Sequence, residues 1–241
     1  MNLNTNSNTN NLNNSGREKR CKRNKVGFAY INKKDFNSFI QSFEEKINYS
    51  FKNKDLLMES LTDKSFCQSK NYEKLEVIGD AILEVYVLAN IFYLTDSDEY
   101  SHYKLSPETI SKAKHFLVCN NFLAKISVWN KFYEYLITDF KNQSKIDSIN
   151  DNIDKINFDY KMSTYDFEEN EFDKINSDIV EAIIGAIFED SNIENCFLFL
   201  NRLIGNYIFY VIKRIDNIKV SPVNEFCELI DKILHMKTTF M

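Results

Sequence analysis

Residues 73–83 read EKLEVIGDAIL, and their pattern sets how the rest of the chain folds around them. From Tyr72 to Tyr93, Leu75, Ile78, Ile82, Val85, Leu88 and Phe92 recur at helical intervals and make a broad apolar face. Between Ala81 and Phe92 the run is so apolar that the helix is expected to be central and buried on most sides. Against this background Glu73, Glu76, Asp80 and Glu84 stand three, four and four apart, which lines four carboxylates along one side. A row of like charges is destabilising without a counter-charge, and only Lys74 stands near in sequence. Burying carboxylates unpaired costs several kcal/mol, so something positive should meet them.

Far downstream, residues 178–190 read DIVEAIIGAIFED. Asp178 and Glu181 are three apart on a helix whose other face is Ile179, Ile183, Ala186 and Ile187. If the two helices cross, Glu76, Asp80, Asp178 and Glu181 converge. An oxygen-only cluster of this kind suits Mg2+, with Mn2+ as a substitute. A hard cation there can polarise a phosphodiester, acidify a water and steady a leaving oxygen. Spacing alone also fits two solvated helix faces. Gly79 and Gly185 favour the crossing. Each interrupts a helix, where Gly costs about 1 kcal/mol against Ala. Each lies beside an acidic position, and the apolar pattern runs past it, which a helix end would not allow.

Elsewhere the pattern is helical as well. Phe36, Phe39, Ile40, Phe43 and Ile47 form one stripe, and Leu56, Leu57 and Leu61 a second, with a cap expected at Asn53–Asp55. Ser106 and Pro107 should open a helix running through Phe116, Leu117 and Leu123. Another covers Cys196–Val211, and Pro222 should start a last one through Phe226, Leu229, Ile230 and Leu234. The chain has only five Gly and two Pro, which argues for long helices and an all-α fold.

Three segments fall outside this frame. Residues 1–30 are an Asn-rich and basic leader expected to be disordered. Within it, residues 17–25 read REKRCKRNK and carry Arg17, Lys19, Arg20, Lys22, Arg23 and Lys25. A solvated leader, an RNA-phosphate contact and a nuclear import signal all fit that run. Residues 139–174 hold ten acids against five lysines with no steady period, and read as an acidic insertion in a main domain of residues 36–215. Residues 216–241 form a C-terminal helical segment.

The net charge of −5 argues against a domain that grips nucleic acid by overall charge. Cys21, Cys67, Cys119, Cys196 and Cys227 are odd in number and too widely spaced for a zinc knuckle. Cys119 and Cys196 stand among apolar residues and read as core. No signal peptide and no unbroken apolar run of about 18 residues is present, so no membrane partner is expected. An intracellular setting, cytoplasm or nucleus, is the expectation. His102, His115 and His235 receive no catalytic role, and Trp129 reads as packing.

EKLEVIGDAIL closely resembles the signature helix of the ribonuclease III family, roughly E-R-L-E-F-L-G-D-A-x-L, and DIVEAIIGAIFED resembles its second motif. The stretches FEEKINYSFKNKDLLMESLT (43–62) and FLVCNNFLAKISV (116–128) extend the likeness more weakly. NYEKLE at 71–76, the acidic insertion and SPVNEF at 221–226 make it most similar to the second ribonuclease III domain of Dicer. The resemblance implies the ribonuclease III endonuclease fold and magnesium-dependent hydrolysis of double-stranded RNA to 5′-phosphate and 3′-hydroxyl ends, in Dicer-like small-RNA processing. It implies that Glu76, Asp80, Asp178 and Glu181 are the catalytic metal ligands, with Glu73 in support. It also implies pairing, as a homodimer or with a second ribonuclease III domain, for which Phe66, Val77 and Ile78 are candidate contacts. Lys112 and Lys114 are candidate RNA contacts, and a solvated face fits them equally. Two departures stand out. Thr62-Asp63 replaces the family's Thr-His, and no double-stranded-RNA-binding domain is expected within this length. The competing reading is a non-catalytic ribonuclease III-like scaffold for dimerisation or RNA binding.

Overall fold

The computed structural model describes residues 33–96, 105–139, 142, 144 and 171–213. The basic leader, most of the acidic insertion and the Pro222 segment lie outside the described residues, as do His102 and His235. Among the described residues the fold is all-α, as expected. The helices are α1 (Lys33–Ile47), α2 (Lys54–Ser60), α3 (Glu73–Asp96), α4 (Pro107–Val118), α5 (Asn120–Trp129), α6 (Glu171–Asp190) and α7 (Ile193–Lys213), with a 3-10 turn at Phe132–Tyr135. The sole β-type pairing there is an isolated parallel bridge between Thr62 and Ile137.

Local signals set most boundaries. The Asn53 side chain accepts from the Asp55 amide at 3.0 Å and caps α2. Ser106 Oγ accepts from the Thr109 amide at 3.2 Å, with Pro107 in the first turn of α4. α1 ends at Asn48, whose φ of 51° is one that Asn tolerates well. Arg202 donates to the Ile47 and Asn48 carbonyls at 3.4 and 3.2 Å, which ties that end to α7.

The helix expected to run from Pro107 through Leu123 is instead two. Cys119 is extended (φ −73°, ψ 148°), closing α4 and opening α5. The reason lies in phase. α4 buries Ala113, Phe116 and Leu117, and that face would continue through Asn120 and Asn121. The next apolar residues, Phe122 and Ile126, are rotated away from it. Breaking the helix lets both sets face the core. Cys196 is fully buried as expected, whereas Cys119 is half-buried. Trp129, at the end of α5, is 60% exposed, contrary to the packing role expected for it.

The central helix is α6, not α3. Every residue from Asn176 to Ile187 is buried, because α2, α3, α5 and α7 all pack on α6. α3 packs against α6, α7 and α4 on one side only. Its other side exposes Val77 (72%), Val85, Phe92 and Tyr93 (75%), so the expectation that it is buried on most sides fails. By length and composition alone, Glu73–Leu94 and α7 would suffice to cross a membrane, yet each buries one face in this core.

α3 and α6 form the most extensive helix pair, and they touch through backbone. A Cβ on Gly79 would lie 1.8 Å from the Glu181 carbonyl oxygen, and a Cβ on Gly185 would lie 2.1 Å from the Leu75 carbonyl oxygen. No side chain fits at either position. The two mid-helix glycines therefore mark the crossing their sequence positions suggested.

Candidate metal centre

The crossing sets the acids of the two helices against each other. Carboxylate oxygens of Glu76, Asp178 and Glu181 lie within 4.8 Å of one another. Glu76 comes from α3, and Asp178 and Glu181 from successive turns of α6. Asp80, one turn beyond Glu76, stands outside this trio, but its charge acts on Glu181. Glu73 is also outside and pairs with Lys64 at 2.6 Å on the surface. Glu84 pairs with Lys114 at 2.5 Å.

The predicted counter-charges therefore exist, but they come from elsewhere in the chain. Lys174 meets the trio. Its Nζ is 3.0 Å from both Asp178 oxygens and 3.4 Å from Glu76 Oε1. Sequence reading misses it because residues 139–174 have the composition of an insertion. α6 in fact starts at Glu171, so Lys174 occupies the turn below Asp178 at the i, i+4 spacing. The boundary of the acidic stretch is corrected accordingly. Ser177 Oγ donates a longer contact to Asp178 at 3.4 Å.

One ammonium does not neutralise this site. Burial, with Asp80, Asp178 and Glu76 around it, pushes the Glu181 carboxyl up to about 8, against Lys174. Burial and Asp178 raise Glu76, and burial raises Asp178 despite Lys174 and Ser177. Burial and Glu84 raise Asp80, against Lys114. A buried group of carboxylates, oxygen donors only and short of positive charge, fits a hard divalent cation. Glu76, Asp178 and Glu181 are placed to hold it together, with Asp80 next in line.

The remaining candidates sit as follows. Lys114 is committed to Glu84, and Lys112 is partly buried on the same helix. Arg17, Lys19, Arg20, Lys22, Arg23 and Lys25 lie outside the described residues. His115 is exposed near the end of α4, away from the trio. Of the candidate pairing contacts, Val77 is exposed, and Phe66 and Ile78 are partly buried.

Comparison with known proteins gives the arrangement a context. Residues 73–192 match the Ribonuclease III domain family. The chain is 28% identical over 195 residues to Endoribonuclease Dicer homolog 2 of Arabidopsis thaliana, covering 78% of this chain and 13% of that protein. It is 31% identical over 170 residues to Ribonuclease 3 of Campylobacter fetus subsp. fetus, covering 70% of this chain and 63% of that protein. It thus spans a small fraction of the Dicer relatives and under two thirds of the bacterial one. The crystal structure of the nuclease domain of Campylobacter jejuni ribonuclease III superposes with a TM-score of 0.51 at 28% identity, covering 69% of this chain and 94% of that one. A second structure of that domain, described for flexibility in a region involved in dimer formation, gives 0.50 at 29% identity.

Proposed function

The chain belongs to the ribonuclease III family, and from that premise we propose that it is a magnesium-dependent endonuclease hydrolysing double-stranded RNA to 5′-phosphate and 3′-hydroxyl ends. The reading rests on one observation: three carboxylates from two family motifs, about a hundred residues apart in sequence, lie within 4.8 Å in a site short of positive charge. When bound, a divalent cation supplies positive charge to a phosphodiester and acidifies water.

The chain's own residues do the rest. Glu76, Asp178 and Glu181 hold the cation from two rigid helices locked by Gly79 and Gly185, with Asp80 completing the set. Lys174 offsets part of the carboxylate repulsion and reaches solvent, from where it can meet a phosphate oxygen. Double-stranded RNA is read through shape, phosphates and 2′-hydroxyls, for which Lys112 and the basic leader are the candidate contacts. The exposed Val77 beside Glu76 suits packing against a second ribonuclease III domain, from another copy or another protein. The Dicer relatives favour small-RNA processing as the setting.

The test is cleavage of long double-stranded RNA with magnesium or with chelator, beside Glu76→Gln and Asp178→Asn. Cleavage of both strands that needs magnesium and is lost in both variants supports the proposal. A folded chain that neither cleaves nor binds metal removes the catalytic assignment and leaves the scaffold reading.

A further inference from the structure

Lys174 meets the trio with every donor it has. An ammonium carries three N–H groups. Its Nζ faces three carboxylate oxygens, Asp178 Oδ1 and Oδ2 at 3.0 Å each and Glu76 Oε1 at 3.4 Å. A divalent cation held by Asp178 needs the same oxygens, so it must share them with the ammonium or expel it. Sharing sets two positive charges on one buried carboxylate, and they repel strongly where water is scarce. Expulsion is the easier course. The Asp178 side chain is 6% exposed and that of Glu76 23%, whereas Lys174 is 59% exposed, so the ammonium sits at the solvent mouth with the acids behind it. Its flexible four-carbon stem springs from the first turn of α6, and Nζ can swing outward while the backbone stays in place.

The mouth is also the side from which a phosphodiester reaches the site. A lysine ammonium set free there is a point charge that binds phosphate. While Asp178 and Glu76 hold it, they neutralise it, and it attracts an RNA phosphate only weakly.

From this geometry we infer that Lys174 is a two-position residue: it fills the cation's place in the metal-free site, and cation entry releases it to become a phosphate contact for duplex RNA. One side chain then couples metal occupancy to RNA capture, and by linkage RNA raises metal affinity by the same factor. The inference rests on the proposed function and adds how its two ligands assist each other.

The experiment compares the wild-type full chain with Lys174→Met. Lys64→Met is the control of equal charge, since Lys64 pairs with Glu73 on the surface at 2.6 Å. Mn2+ affinity is read by calorimetry without RNA. Affinity for a short labelled RNA duplex is read by fluorescence anisotropy in chelator and in Ca2+, with strand integrity followed on a gel. Salt is held at about 0.15 M, where charges more than about 8 Å apart are largely screened. Lys174→Met should bind Mn2+ about fivefold tighter than wild type, the upper range for one partly exposed ion pair. Its RNA affinity should match wild type within about twofold in chelator and fall about fivefold below it in Ca2+. Lys64→Met should shift neither affinity by more than about twofold. An RNA deficit of Lys174→Met that is the same with and without Ca2+ overturns the inference, because the lysine then keeps one position. Equal Mn2+ affinity for Lys174→Met and wild type, or equal tightening in Lys64→Met, overturns it as well. A wild-type chain that takes up no Mn2+ overturns the metal-centre reading, and one that takes up Mn2+ but no duplex overturns the RNA reading. Either result removes this inference too.

Discussion

Replacing Gly79 with Ala tests the crossing that assembles the site. The added methyl would lie 1.8 Å from the Glu181 carbonyl oxygen and 2.6 Å from its carbon, whereas ordinary contact begins near 3.4 Å. α3 and α6 must part by about 1.6 Å at that point, since the obstacle is backbone and cannot rotate aside. Overpacking of a tight core costs about 3 kcal/mol at its upper range, which applies here because two helices must move. Ala returns about 1 kcal/mol through helix propensity. The net loss is then about 2 kcal/mol or more. With a urea dependence of about 2 kcal/mol per molar, the unfolding midpoint followed by circular dichroism should fall by about 1 M. Because the displaced carbonyl belongs to Glu181, Mn2+ affinity should fall with it. A variant whose midpoint and Mn2+ affinity both match wild type would show that the helices do not meet as described.

Three further outcomes follow from the contacts. In the metal-free chain Glu181 keeps its proton to about 8, while in the unfolded chain it ionises near 4.5. The stability it contributes is therefore complete below about 4.5 and is lost as pH rises through about 8, with Mn2+ affinity rising as the carboxyl ionises. Urea midpoints of metal-free protein that climb across this window contradict it. Lys174→Met removes the ammonium that a bound cation must displace, so saturating Mn2+ should stabilise the variant by about 1 kcal/mol more than wild type, or about 2–4 °C in Tm. An equal or smaller gain argues against competition between the two cations. Asp190 accepts from the Asn53 amide (2.7 Å), the Lys52 amide (2.9 Å) and the Tyr49 hydroxyl (2.7 Å). Burial works to raise its pKa, but these donors outweigh burial and hold it below the usual range. Asp190→Ala should cost about 1–3 kcal/mol. The wild-type advantage should be present above about 3.8 and lost as pH falls below it. A loss of only a few tenths of a kcal/mol at neutral pH would mean these bonds contribute little.

The parts of the fold readable from sequence are those set by local rules. Asn53, Ser106 and Pro107 each satisfy a helix start with their own side chain or ring, so the boundaries at α2 and α4 needed no tertiary information. The crossing was readable because a glycine inside an apolar helix weakens that helix unless another backbone must come close to it. Cys119 was not readable as a break, since no Gly or Pro marks it and only the phase shift between Phe116 and Phe122 betrays it. The exposure of Val77, Val85, Phe92 and Tyr93 was hidden for a different reason. Apolarity reports what a helix is able to bury, not whether neighbours arrive on every side. Lys174 was concealed by the acids around it, although its position four residues before Asp178 would have revealed it had α6 been extended by one turn.

The reciprocal contacts of Gly79 and Gly185 also have a mechanical consequence. Each glycine seats a carbonyl of the opposite helix, so α3 and α6 are blocked from sliding along one another, and any tilt of α3 would pivot at this contact. Points on a rocking lever move in proportion to their distance from the fulcrum. Glu76 lies three residues from Gly79, about 4.5 Å along the axis, and Tyr93 lies fourteen residues away, about 21 Å. A tilt of α3 therefore carries Tyr93 about five times as far as Glu76. A displacement of about 1 Å at Tyr93 would thus reach Glu76 as only about 0.2 Å, which insulates the carboxylates from small adjustments at the apolar outer end of the helix.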